Sequence, residues 1–286
     1  MSVQVDLRGD LLTDYAARLQ RLNYAPSTIS SYTTCVRRLF QTYPGVQPEQ
    51  MTAEHIERFL DGRRLSPATF STQTENLRAF FTWLQKHKNL IRVNPCAAVE
   101  KPRAPERHRP APTRAEFDRV CTMCTTAEET CLVEILYFAG LRISELRLAR
   151  VEDFDLEKRR LRVIGKGNRE RMVVYPERVA ETVRSLLGSP RTRTYLFSGR
   201  QGRPRDAKRF QGLLVALGKK AQLPYHLTAH ILRHGYFRLL KTHNVPVEVA
   251  ARLGGHRDIR TTVQVYGRLD DDDLQAAYDR ALQAGA

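Results

Sequence analysis

Apolar residues recur every three to four positions through most of the first 95 residues. This spacing is typical of amphipathic helices, because positions i, i+3 and i+4 share one helical face. Pro26 and Pro67 each follow a break in the pattern, and proline fits the first turn of a helix. We predict a small all-helical domain over residues 1–95, with its apolar helix faces packed together.

From Thr113 onward helical spacing returns, interrupted by short segments in which apolar and polar residues alternate as in strands. These segments are residues 154–156, 160–164 and 171–175. Gly165-Lys166-Gly167-Asn168 predicts a hairpin turn between the last two. We therefore predict a second domain over residues 113–286, of the α+β class with a small antiparallel sheet, in a two-domain and mainly α protein.

The charge of the chain indicates a polyanionic partner. Lys and Arg number 47 against 31 Asp and Glu, a net charge of +16. Since both predicted domains are basic, we expect a clamp on DNA rather than one basic tail. The Pro-rich segment 96–112 predicts an extended linker. We assign its Arg103, Arg107 and Arg109 to DNA phosphates, with a solvated linker as the alternative.

The five cysteines are an odd number, which argues against a disulfide framework. Cys121 and Cys124 form a CxxC, but no second ligand pair lies at zinc-finger spacing, so we expect neither a metal nor another cofactor. The chain shows no apolar run of about 18 residues and no signal peptide. We expect a cytoplasmic protein, associated with the nucleoid and not with a membrane.

Residues suited to phosphate chemistry lie in the second domain. Arg142 lies at a predicted helix start, and His230 and Arg233 are three apart on one helical face. His256 follows a Gly-Gly turn, and Tyr266 ends the next predicted helix. Two guanidinium forks can bind phosphate oxygens bidentately, and a tyrosine can attack phosphorus if its surroundings favour phenolate. Taken singly, each residue is explained as well by a surface or structural role.

Five motifs occur in order in this part of the chain: GLRISEL, GKGNRER, HILRH, LGGH and TTVQVY. Together they resemble the motif set of the tyrosine recombinases, or phage integrases, and most closely that of their Xer and transposon-integrase branch. The resemblance covers essentially the whole chain. It implies a helical, SAM-like core-binding domain followed by a catalytic domain whose last helix, residues 271–284, packs into a neighbouring protomer.

The resemblance also implies roles for individual residues. Tyr266 is the nucleophile that forms a 3′-phosphotyrosyl bond and releases a 5′-OH. Arg142 and Arg233 stabilise the charge on the phosphate oxygens.

The remaining members of the implied catalytic set are a lysine and two histidines. Lys166 donates a proton to the leaving oxygen, His230 is the candidate base, and His256 donates a hydrogen bond to the phosphate. Arg169 and Arg171, on the same hairpin as Lys166, are assigned to positioning DNA phosphates.

One spacing departs from the family pattern. Ten residues separate His256 from Tyr266 where the pattern has nine, and LGGH contains one glycine more than LGH. A shift of one residue turns a helical position by about 100°. The segment before Tyr266 must therefore absorb the extra residue.

We expect a site-specific recombinase that acts on double-stranded DNA with inverted core sites. The resemblance implies a homo-tetramer, joined by exchange of the C-terminal helix, that exchanges strands through a Holliday junction without metal or ATP. A partner recombinase is a further partner to consider. Two alternatives stay open: a type IB topoisomerase-like nicking-closing enzyme, and a non-catalytic DNA-binding factor.

Overall fold

The computed structural model describes residues 7–103, 110–165, 169–188, 193–256 and 258–266. The chain forms two compact units, residues 1–107 and 108–286. Among the described residues, no helix is long and apolar enough to cross a membrane.

The described part of the first unit is helical, as predicted. Its helices are α1 (Leu7–Arg21), α2 (Pro26–Thr42), α3 (Ala53–Asp61) and α4 (Pro67–His87). The predicted starts are confirmed, because Pro26 and Pro67 occupy the first turns of α2 and α4. At α4 the Ser66 side chain also accepts a hydrogen bond from the Thr69 backbone N–H, which satisfies a free donor of the first turn.

The core of the first unit is largely aromatic. Phe80 is fully buried and meets Tyr15 edge to face, with ring centroids 5.2 Å apart, and Trp83 at 5.7 Å. Each fully buried side chain of this kind contributes about 1.5–3 kcal/mol. Cys96 and Val99 are buried in the same core, so the packing of this unit extends past residue 95.

The second unit begins and ends with helices in its described part. They are α5 (Arg114–Thr122), α6 (Ala127–Phe138), α7 (Ile143–Leu148), α8 (Glu177–Leu187), α9 (Ala207–Lys220), α10 (Ala229–Thr242), α11 (Val247–Gly254) and α12 (Ile259–Tyr266). Thr113, Thr126 and Thr228 cap α5, α6 and α10 through their side-chain oxygens. The predicted return of helices from Thr113 onward is confirmed.

The predicted antiparallel sheet is also confirmed. It has three strands in the order β1 (Phe154–Asp155), β2 (Arg160–Gly165) and β3 (Arg169–Val174). Gly165 pairs with Arg169, which leaves residues 166–168 to connect β2 to β3. Leu161, Val163 and Val173 face the core, while their neighbours along each strand face outward, as the period of two requires.

Helix α6 is the centre of the second unit. Its residues Cys131–Tyr137 are all buried, and Phe117 of α5 stacks on Tyr137 with ring centroids 3.8 Å apart. Helices α8 and α10 pack against α6. A Cβ at Gly235 of α10 would lie 2.6 Å from the Tyr137 ring, so glycine there permits a close approach of α10 to α6. Arg142 follows α6 and Arg233 lies on α10, so this packing brings the two arginines together.

Candidate active site

Arg142 is the residue immediately before α7, as the sequence predicts. Its backbone N–H donates to Glu145 Oε2 at 2.8 Å, and its Nη1 donates to Glu145 Oε1 at 3.0 Å. Its Nη2 donates to the backbone oxygen of Gly255 at 3.2 Å. Because the side chain keeps 37% of its exposure, it remains accessible to a ligand while its carboxylate partner holds it in place.

Arg233 lies in the middle of α10 and is 3% exposed. Its guanidinium donates to the backbone oxygens of Gly140 and Gly254, the latter at 2.6 Å. Its Nη2 also lies 3.0 Å from His256 Nε2. Burial, together with the nearby positive charge of Arg142, lowers the pKa of Arg233 to about 9. The buried cation is thus held chiefly by oriented carbonyl dipoles.

A buried carboxylate binds two arginines of the site. Glu145 of α7 accepts two hydrogen bonds from Arg171 of β3, at 2.6 and 2.8 Å, besides those from Arg142. These hydrogen bonds lower its pKa to about 2 although burial opposes that shift. Arg171, which is predicted to position a DNA phosphate, is 15% exposed and pairs with Glu145 in this structure.

His256 is held on both ring nitrogens and on one ring face. Its Nδ1 lies 2.7 Å from the Thr262 hydroxyl of α12, and its Nε2 is the nitrogen facing Arg233. The Phe237 ring stacks against the imidazole with centroids 4.9 Å apart, and the Arg233 guanidinium lies 5.2 Å from the same ring. Burial, together with the charge of Arg233, lowers the pKa of His256 to about 4.

The Gly-Gly turn before His256 has two distinct requirements. Gly255 follows α11 in the left-handed conformation, with φ of +63°, and a Cβ there would lie 2.6 Å from Arg171 Nε. A Cβ at Gly254 would lie 2.3 Å from the Phe237 ring. Both glycines thus allow the backbone to approach the cluster closely enough for its carbonyls to accept from Arg142 and Arg233.

The unusual spacing between His256 and Tyr266 falls in a regular helix. Helix α12 runs from Ile259 to Tyr266, and Thr262 on it is fully buried. Residues 262 and 266 are one helical turn apart and share a face. Because α12 is continuous from Ile259 to Tyr266, no break within this helix relieves the rotation of about 100° that one extra residue brings. The side chain of Tyr266 lies outside the described part of the structure.

His230 lies in the first turn of α10, three residues before Arg233, and is exposed. It lines a cavity of about 240 Å³ together with Arg142, Thr228 and Gln211. An arginine and a histidine on one cavity wall suit an anion.

Other predicted site residues fall differently. Lys166 lies outside the described residues, as do Arg107 and Arg109. Arg169 begins β3, but its side chain is also outside the described part. Arg103 is exposed at the end of the described part of the first unit.

The sequence reasoning missed two members of the cluster, Glu145 and Thr262. Both lie inside motifs singled out for other residues, GLRISEL and TTVQVY. An acidic residue three positions after Arg142 in a helix start was an available signal for Glu145. For Thr262 the only signal was its place one helical turn before Tyr266.

Comparisons with known proteins agree with this geometry. A model of the phage integrase family matches residues 113–273, and a model of the phage integrase N-terminal SAM-like domain matches residues 11–90. The chain therefore belongs to the phage integrase family, in its branch of tyrosine recombinases related to XerC. The predicted SAM-like character of the first domain is confirmed.

Two relatives are named tyrosine recombinase XerC. The protein of Xanthomonas campestris pv. campestris (strain B100) is 30% identical over 237 residues, covering 81% of this chain and 71% of the relative. The protein of Proteus mirabilis is 27% identical over 295 residues, covering 97% of this chain and 94% of the relative.

Solved structures share the fold. The Tn1549 transposon integrase, in complex with a circular intermediate DNA, matches with a TM-score of 0.76 at 20% identity, covering 95% of this chain and 99% of that one. A lambda integrase dimer bound to a COC′ core site matches with a TM-score of 0.74 at 16% identity, covering 91% and 77%.

The low pKa of Glu145 predicts a pH-dependent contribution to stability. A carboxyl group whose pKa falls on folding stabilises the protein above its unfolded pKa of 4.5, and this stability is lost as the pH falls toward 2. The lowering corresponds to roughly 3 kcal/mol. We expect Glu145→Gln to be less stable than wild type near neutral pH, with the difference shrinking toward pH 2. Urea unfolding followed by circular dichroism at several pH values measures it.

Glu170→Gln is the matched control, because Glu170 is an exposed carboxylate 3.5 Å from Arg162 on the same hairpin. Its free energy of unfolding should stay within about 0.5 kcal/mol of wild type across the range. A constant gap between Glu145→Gln and wild type at every pH would contradict the assigned ion pair.

The left-handed conformation of Gly255 predicts a cost for any side chain there. We expect Gly255→Ala to lose about 1–3 kcal/mol of stability, since the new methyl group adds backbone strain and contacts Arg171. Gly212→Ala on α9 has open space around its Cβ and should gain about 0.5–1 kcal/mol. Thermal unfolding measures both, and a stabilised Gly255→Ala would show that the turn is not built as described.

Proposed function

We propose that this protein is a site-specific DNA recombinase that uses Tyr266 as its nucleophile. The observation that supports this most is the convergence of Arg142, Arg233 and His256 on the turn at Gly255. The guanidinium groups of Arg142, Arg171 and Arg233 outnumber the one carboxylate, that of Glu145, so the cluster has a net positive charge. Such a cluster is suited to a phosphodiester, whose oxygens gain negative charge in the transition state.

In the proposed reaction, the Tyr266 oxygen attacks the phosphorus and forms a 3′-phosphotyrosyl bond while the bond to the 5′-oxygen breaks. The phenol proton passes to His230, and Lys166 protonates the departing oxygen, which leaves as a 5′-OH. The protein–DNA bond conserves the phosphodiester energy. Attack by the 5′-OH of another strand therefore reseals the DNA without ATP.

Charge in the cluster supports the assigned roles of the arginines. The Arg142 guanidinium is accessible, and it can donate two N–H hydrogen bonds to the phosphate while Glu145 holds it in place. Arg233 is buried next to other positive charges, which disfavour its charged form. A bound phosphate would relieve this repulsion, so part of the binding free energy comes from the arrangement of the empty site.

His256 is neutral in this arrangement, because its pKa is lowered to about 4. A phosphate oxygen beside Nε2 would favour a proton on that nitrogen, which is the state required of a hydrogen-bond donor to the phosphate.

The proposed assembly is a homo-tetramer on two double-stranded DNA sites with inverted core sequences, exchanging strands through a Holliday junction. Relatives named XerC, and an integrase solved as a dimer on a core site, support DNA as the partner. Exposed apolar residues on α11 and α12, Val249, Ile259 and Val263, offer a surface for the C-terminal helix 271–284 of a neighbouring protomer. A partner recombinase would use the same surface.

The remaining proposed contacts are to DNA outside the reacting phosphate. Arg103, Arg107 and Arg109 would follow the DNA backbone from the segment between the two units, and Arg169 would reach it from the β2–β3 hairpin. Such contacts position the protein on the duplex and carry no sequence information themselves.

The nucleophile assignment predicts that Tyr266→Phe binds DNA as wild type does and forms no covalent adduct, because only the attacking oxygen is removed. Nicked suicide duplexes that tile the DNA flanking the coding sequence trap the adduct, which is detected by denaturing gel electrophoresis. Tyr278→Phe is the control and should form adduct at the wild-type level.

Each result separates the candidate functions. An adduct in Tyr266→Phe at the wild-type level would disprove the nucleophile assignment. No adduct in wild type that still binds the duplexes would favour a non-catalytic DNA-binding factor. Relaxation of a supercoiled plasmid without any recombination site would favour the topoisomerase alternative.

If Arg142 acts through its paired N–H donors and not through its charge alone, a lysine in its place should support binding but not cleavage. We expect Arg142→Lys to keep DNA binding within a few-fold yet lose about 10²–10³ in the rate of adduct formation, because lysine supplies the charge but not the paired donors. Arg147→Lys, on the helix that follows Arg142, is the control. Equal losses of binding and cleavage in Arg142→Lys would make Arg142 an ordinary phosphate anchor.

A further inference from the structure

Thr262 is a fully buried polar residue on the helix that carries Tyr266. Its hydroxyl lies 2.7 Å from His256 Nδ1, the ring nitrogen turned away from Arg233. It therefore joins α12 to the arginine cluster through His256. Buried hydroxyls require hydrogen-bond partners, so this pairing also stabilises the local fold.

The chemistry of Arg233 fixes the protons of the ring in this arrangement. A guanidinium only donates hydrogen bonds, so His256 Nε2 accepts from Arg233 Nη2 across 3.0 Å. The neutral imidazole then carries its proton on Nδ1 and donates it to the Thr262 oxygen. Burial is the main reason that the ring stays neutral. The positive charges of Arg233, Arg142 and Arg171 act in the same direction, and the Glu145 carboxylate opposes them.

A phosphate bound in the cluster changes which ring nitrogen of His256 must carry the proton. Arg233 Nη2 then has an anion to donate to, and His256 can contact the same anion only with a proton on Nε2. In a neutral ring, the proton on Nδ1 is released to solvent and a proton from solvent binds Nε2, so the net charge of the ring is unchanged. Nδ1 then becomes an acceptor and needs a donor.

We propose that Thr262 is a positioning residue that holds His256 in both states, accepting from Nδ1–H without DNA and donating to Nδ1 when Nε2 faces the phosphate. A hydroxyl can do both, because it carries one donor and two acceptor lone pairs and rotates freely. Valine has the same shape but neither property. This role rests on the proposed function, since it concerns how His256 meets the reacting phosphate.

The same bond orients the nucleophile helix. Residues 262 and 266 share a face of α12 one turn apart, so the contact of Thr262 with His256 fixes the rotation of the helix about its axis. Loss of the hydroxyl removes this constraint together with the tautomer switch. Both effects slow the attack and leave DNA binding largely intact.

The test compares Thr262→Val with Thr262→Ser in the full-length protein. We expect Thr262→Val to bind the nicked duplex within about threefold of wild type and to form adduct at least about tenfold more slowly, the scale of losses at residues that orient a reactive group. Thr262→Ser, which keeps the hydroxyl, should recover most of the rate. Wild-type rates in Thr262→Val, or no recovery in Thr262→Ser, would overturn the proposal.

Thr74→Val is the matched control. Thr74 is also a fully buried helical threonine, but its hydroxyl donates to the Phe70 backbone oxygen of its own helix. It should keep the wild-type rate of adduct formation. Equal slowing in both valine variants would assign the effect to general destabilisation and overturn the proposal.

A second measurement does not depend on cleavage. Nitrogen-15 spectra of histidine-labelled protein, with the His256 signals assigned from a His256→Gln variant, report which ring nitrogen carries the proton. We expect Nδ1–H in the free protein and Nε2–H in Tyr266→Phe bound to an intact duplex of the same sequence. An unprotonated Nδ1 in the free protein would disprove the role of Thr262 even if cleavage occurs. Absence of adduct with the expected spectra would count against the proposed function alone.

Discussion

The second unit depends on keeping three guanidinium groups close together in a partly buried place. Such charges repel each other strongly where water is scarce, and the Glu145 carboxylate offsets that repulsion. Glu145 accepts hydrogen bonds from Arg142, which precedes α7, and from Arg171 of the sheet. Arg233 donates instead to the backbone oxygens of Gly140 and Gly254. The turn at Gly255 accepts hydrogen bonds from Arg142 and Arg233 and lies close to Arg171 of β3, and this places His256, the next residue.

This arrangement explains why the site is spread over so much of the sequence. Arg142 and Arg233 are 91 positions apart, yet Arg142 follows soon after α6 in the chain and Arg233 lies on α10, which packs on α6. The apolar core thus sets the distance between the two arginines, and the polar cluster sets their orientation. Changes in the core around Tyr137 would reach the site through the close contact with α10 at Gly235.

Much of the fold could be predicted from the sequence, because helix starts, alternating strands and the hairpin turn leave local signals. The gathering of Arg142, Arg233 and His256 was predicted from motif order. What could not be predicted was the partner of each group. Arg171 was assigned to DNA, and its pairing with Glu145 depends on the register of β3 against α7, a long-range contact that no local pattern encodes. The hydrogen bond of the Thr262 hydroxyl to His256 was not predicted for the same reason.

The alternation of side chains along β3 limits where a residue can be inserted or deleted in this fold. Along β3, Arg171 and Val173 point inward while Glu170 and Met172 point outward. An insertion or deletion of one residue between Arg171 and Tyr175 would exchange the two faces, placing Met172 against Glu145 and turning the guanidinium into solvent. Changes of one residue in length are therefore excluded from β3 between Arg171 and Tyr175, because they would break the pairing of Arg171 with Glu145.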